Sequence, residues 1–187
     1  MGYYCTKVLF FIFIKFIFVL NIKQMKITLL LIGKTEYPYL AEGYKLYESR
    51  LKHYILFETI YIPTIKNSKN LSTAQQNDKE AEMLIKYFGG KDLIILLDEK
   101  GSEYSSVDFS SFIQKNMNKG YKNIMFVVGG PFGFSEMIYK LNLPKLSLSK
   151  MTFSHQMIRL IFIEQLYRAM TIIKNEPYHH QQRSIYG

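Results

Sequence analysis

The chain has 187 residues, 48% of them hydrophobic, which is enough for one domain with a sizeable core and calls for no second. Its net charge of +9 and pI near 9.4 favour an acidic partner, of which nucleic acid is the commonest. Cys5 is the sole cysteine, so an intrachain disulfide and a thiolate metal cluster are both excluded, and a reducing cytoplasm fits best.

Residues 1–24 differ from everything that follows. The apolar run from Val8 to Leu20 in "KVLFFIFIKFIFVL" is broken by Lys15 and falls short of the ~20 residues that span a bilayer. The following "NIKQ" lacks the small-residue pattern of a signal cleavage site. Met25 then opens a clean strand, "KITLLLIG", so the segment is read as an extension outside the fold; a membrane tether is the competing reading. Residues 25–187 form a single domain on this reading. Without Lys7, Lys15 and Lys23 it holds 21 basic and 15 acidic residues, a charge of +6, and no cysteine.

From Met25 onward, short apolar runs alternate with longer segments of helical spacing. Strands are expected near 26–32, 55–62, 93–97, 123–128 and 145–148. Leu40, Tyr44, Tyr47 and Leu51 share one face of a helix from Leu40 to His53, and further helices are expected from Ser72 to Phe88 and from Val107 to Met117. This alternation predicts an α/β fold with a parallel-rich sheet and helices on both faces. "PTIKNSKNLST" is a polar surface loop in which Ser72 or Thr73 can cap the next helix.

The last helix is expected to start at the N-cap Ser154 and to end near Lys174, with a polar tail beyond. Apolar residues cover nearly its whole circumference. That pattern predicts burial on two sides, against its own sheet and against a second subunit, and hence a homodimer.

Four places carry the candidate chemistry. In "VVGGPFGFS", Gly129 and Gly130 let the backbone approach a ligand and Gly133 permits another turn, just before a helix capped by Ser135. The pattern is neither G-x-G-x-x-G nor a P-loop, which disfavours dinucleotides and nucleoside triphosphates. Asp98 and Glu99 of "LLDEKGSEY" are adjacent in extended chain, point apart, and are read as a solvated turn. His155 and Arg159 stand four residues apart on one face at a helix start, a setting suited to a phosphate or a developing oxyanion. Arg168, four beyond Glu164, is read as half of an ion pair. Past Pro177 come Tyr178, His179, His180 and Arg183, read as a frayed end or a clamp over a substrate or neighbouring subunit. No metal is expected, because no ligand set of the usual spacing exists.

"LLDEKG", "VVGGPFG" and "LSLSKMTFSHQMIRLIFIEQLYRA", followed by "NEPYHH", resemble the RlmH family of SPOUT-class ribosomal RNA methyltransferases. The resemblance runs from Met25 to about His180 and includes the opening "MKITLLLIGK". Residues 1–24 have no counterpart, "QQRSIYG" runs past the usual end, and Ser154 stands where relatives often have proline. The resemblance implies a C-terminal deep trefoil knot and S-adenosylmethionine held by Leu97, Gly129, Leu148, Ser149, Lys150, Met151, Thr152 and Phe153. It also implies methylation of N3 of a pseudouridine in 23S ribosomal RNA, on the assembled ribosome. On that reading Arg159 stabilises negative charge, His155 or His179 accepts the proton or positions the base, and Tyr178 stacks on or orients the flipped nucleotide. The competing reading is a non-catalytic, RNA-binding dimer.

Overall fold

The computed structural model describes residues 25–65 and 70–177. Strand and helix alternate as β1 Lys26–Ile32, α1 Pro38–Leu51, β2 Leu56–Ile62, α2 Thr73–Ile85, β3 Leu93–Glu103, α3 Ser106–Asn118, β4 Asn123–Val128, α4 Glu136–Tyr139, β5 Lys145–Ser147 and α5 Met157–Ile173. One sheet results, ordered β2-β1-β4-β3-β5 with every pairing parallel. Each expected strand is present. The expected extension and the tail beyond Pro177 lie outside the described residues.

The two-residue period of the strands sorts their side chains. Ile27, Leu29 and Leu31 of β1, with Ile124, Phe126 and Val128 of β4, meet residues of α1, α3 and α5 on one face. Leu30, Ile32, Met125 and Val127 meet Ala81 and Leu84 of α2 and Ile138 of α4 on the other. Because β1 and β4 are covered on both sides, both read as nearly continuous apolar runs in the sequence.

Local signals set the helix ends. Ser72 and Gln75 form a reciprocal capping box: the Gln75 amide donates to Ser72 Oγ at 3.2 Å, and the Ser72 amide donates to Gln75 Oε1 at 2.9 Å. Ser135, by contrast, precedes α4 without a side-chain cap, and its hydroxyl is buried with no hydrogen-bond partner. Ser154 does cap the last helix. Its Oγ accepts from the Met157 amide at 3.2 Å and its carbonyl from the Ile158 amide at 3.0 Å, although regular helix begins only at Met157. Asn175, at φ 56°, closes α5 as the Glu176 amide returns to the Thr171 carbonyl and the Asn175 amide to that of Ile172.

Helix α5 runs between α1 and α3, with Phe162 against Phe126 at a ring separation of 4.7 Å. Every residue from Met157 to Ile173 is buried or half-buried within the single chain. Flanking by two helices and the sheet therefore accounts for most of its all-round apolar pattern.

Strand β3 outruns its expected end. Leu97 and Ser102 both pair with Leu146, so the four residues between them swell out of the ladder as a bulge. A Cβ on Gly101 would lie 2.5 Å from the Leu146 nitrogen, so only glycine lets β5 lie this close. The solvated-turn reading of Asp98 and Glu99 is thereby corrected: the polar stretch is strand, held out of register by β5.

Candidate active site

Strands β4, β3 and β5 are neighbours, and the segments leaving their carboxyl ends converge. They line one cleft of about 790 Å³, within the range of small-molecule sites. Leu97, Gly129, Gly130, Gly133, Leu148, Ser149, Met151, Thr152 and Phe153 all contribute to its walls, as does His155. Lys150 is exposed and does not face it. Tyr178 and His179 lie outside the described residues.

The bulge supplies two carboxylates that tie the walls together. Asp98 accepts the Tyr139 hydroxyl at 2.6 Å through Oδ2 and the Lys100 amide at 2.8 Å through Oδ1. Burial first, then the bond to Asp98, raises the Tyr139 pKa far above the ordinary phenol value. Glu99 accepts the Thr152 hydroxyl at 2.7 Å, linking the β3 wall to the β5 wall. These roles were missed in the sequence because adjacent acidic residues at a strand end look like a turn. The β5 wall is braced internally, as Ser147 Oγ donates to the Ser149 carbonyl and Ser149 Oγ accepts from the Met151 amide, at 2.8 and 2.9 Å.

At the base of α5 three residues fix one imidazole. Gln156 Oε1 accepts from the Glu36 amide at 3.1 Å, which orients the carboxamide so that Nε2 donates. That nitrogen lies 3.4 Å from the Lys34 carbonyl and 3.2 Å from His155 Nε2. His155 Nε2 is therefore the acceptor, and the neutral ring carries its proton on Nδ1. Burial, and after it the positive charge of Arg159, lowers the His155 pKa, with Glu36 partly opposing; the ring is neutral at neutral pH.

Arg159 does not reach the cleft. It is fully buried, and its guanidinium donates to the carbonyls of Ile32 at 2.6 Å, Gly33 at 3.0 Å and His155 at 2.9 Å. The helix spacing placed it beside His155 correctly, but the side chain turns inward to the end of β1. The buried guanidinium meets main-chain carbonyls, that of His155 among them, and gives no geometric support for direct contact with a substrate in the cleft. Arg168 meets Glu164 at 2.6 Å, as the four-residue spacing predicts. Among the described residues no cluster of three or more potential metal ligands occurs, and no helix is long and apolar enough to cross a membrane.

A family model described as "Predicted SPOUT methyltransferase" matches residues 25–179. The ribosomal RNA large subunit methyltransferase H of Parabacteroides distasonis is 59% identical over 157 residues, covering 84% of this chain and 100% of its own length. Those of Christiangramia forsetii and Flavobacterium johnsoniae are each 55% identical over the same shares.

Proposed function

The chain belongs to the SPOUT methyltransferase family and, within it, to the ribosomal RNA large subunit methyltransferase H group, and from this premise we propose that it transfers a methyl group from S-adenosylmethionine to N3 of a pseudouridine in 23S ribosomal RNA. One observation carries the reading: the loops leaving β3, β4 and β5 close on a single cleft with His155 at its rim.

The residues present fit such a donor. Leu97, Leu148, Met151 and Phe153 offer apolar surface for an adenine ring, the 129–133 loop offers backbone polar groups, and Asp98 and Glu99 place negative charge where a cationic donor would lie. S-adenosylmethionine, when bound, supplies an electrophilic methyl group on a sulfonium. The protein's share is alignment of donor and acceptor to within ~3–3.5 Å and exclusion of water. The target N3 is an imide nitrogen, and loss of its proton spreads negative charge onto the flanking carbonyl oxygens. His155, neutral and protonated on Nδ1, is built to donate to one of those oxygens and so acts as an electrostatic stabiliser. The proton-accepting role then falls to His179 of the tail, and nucleotide stacking to Tyr178.

The substrate is the assembled large subunit, met in the cytoplasm by a homodimer. The charge of +9 supports the RNA partner, and half-buried Met157, Ile161 and Ile172 along one edge of α5 support a second copy. The family's deep trefoil knot is proposed for this chain too, on the family relationship alone.

The test incubates the full chain with methyl-labelled S-adenosylmethionine and ribosomes that lack the modification, then maps the label. Label on N3 of one 23S pseudouridine is expected. Salt-sensitive ribosome binding without transfer would instead support the non-catalytic dimer, and label on another base would overturn the substrate assignment.

A further inference from the structure

Beneath the glycine loop, helix α2 presents Gln76, Asn77 and Glu80, none of which lines the cleft. Glu80 is only 3% exposed. Its Oε1 accepts from Gln76 Nε2 at 2.9 Å, while its Oε2 has no hydrogen-bond partner. A Cβ on Gly130 would lie 2.1 Å from that oxygen and 2.8 Å from the carboxyl carbon, so the carboxyl group fills the space a side chain at 130 would need. Three residues along the helix, Asn77 Nδ2 donates to the Phe132 carbonyl at 3.1 Å. Helix α2 thus grips the loop at two points, Gly130 and Phe132. A buried carboxyl with an unmet oxygen is a poor device for stability alone, since an apolar side chain would fill the same space without the desolvation cost.

We propose that Glu80 is a positioning residue for methyl-donor binding: its carboxyl group sets the place of Gly130 and, through it, the wall that the 129–133 loop presents to the cleft. This rests on the reading of the cleft as the donor site. Burial raises the Glu80 pKa, with Gln76 partly opposing, and glutamine keeps the shape of the group that lies against Gly130.

The test uses the full chain, with S-adenosylmethionine affinity by calorimetry, kcat and KM on ribosomes, and thermal melting. Glu80→Ala and Glu80→Asp should weaken donor binding and raise its KM roughly tenfold while kcat at saturating donor stays within about twofold; Glu80→Gln should stay within about twofold throughout. The inference fails if Glu80→Ala and Glu80→Asp bind the donor like the parent chain. It fails equally if only the melting temperature moves, or if Glu80→Gln is as weak as Glu80→Ala. Should Glu80→Ala not fold, the Asp and Gln variants decide. A parent chain that does not bind S-adenosylmethionine would overturn the donor assignment itself, an outcome distinct from normal parent binding with indifferent variants.

Discussion

Arg159 Nε donates to the main-chain carbonyl of His155, 2.9 Å away, while its terminal nitrogens hold the carbonyls of Ile32 and Gly33 at the end of β1. The main chain that carries the imidazole at the cleft rim is thereby fastened to the end of β1 through a fully buried cation.

Replacing that cation removes the donors of three carbonyls at once. Arg159→Met, which keeps the length but not the charge, should destabilise the fold by roughly 3 kcal/mol in urea unfolding, and Arg159→Lys should recover only part of the loss. A change below about 0.5 kcal/mol would contradict the role given to this residue.

His155 makes stability depend on pH. Its folded-state pKa is depressed, so as pH falls the unfolded chain takes up the proton first. The contribution is complete above the ordinary imidazole value, is lost as pH drops from there to the depressed folded value, and is constant below it. Urea midpoints measured between about pH 7.5 and pH 5 should therefore decline more steeply for the parent chain than for His155→Gln.

Gly101 lies against the β5 backbone, and backbone cannot swing aside as a side chain can. Gly101→Ala should cost roughly 2 kcal/mol and lower S-adenosylmethionine affinity, because the displaced bulge carries Asp98 and Glu99 with it. Unchanged melting and binding would show that the bulge has room to spare.

The Thr152 to Glu99 bond joins two exposed groups, so its effect on stability is small. Thr152→Val should shift unfolding by less than about 0.5 kcal/mol yet weaken donor binding roughly threefold, since the β3 and β5 walls are no longer linked. Equal binding by calorimetry would remove the link from the site.

How much of this was legible in the sequence follows from what each signal reports. Strands such as β1 and β4 announce themselves because burial on both faces demands nearly continuous apolar runs. Ser154, and Ser72 as one of two candidates with Thr73, read as caps because capping is settled within a few residues, although Ser135, read the same way, makes no side-chain cap. The strand character of Asp98–Glu103 was hidden, since it comes from pairing with Leu146 more than forty positions away. Arg159 was placed on the right face but given the wrong direction: spacing fixes which residues neighbour one another, not whether a long side chain bends toward solvent or toward carbonyls in the core. Glu80 carried no distinctive signal, because its fit against Gly130 joins two segments distant in the chain. The resemblance of the three loops to a known family supplied what local reading lacked, namely that distant strand ends belong to one site.

Strand β5 has three residues and a single neighbour, whereas β4 lies between β1 and β3. The cleft is therefore mechanically lopsided, two of its sides rooted in the sheet and the third hung from its margin by a short ladder and a few hydroxyls. A small molecule seated in the cleft would therefore join an edge strand of the sheet to its interior.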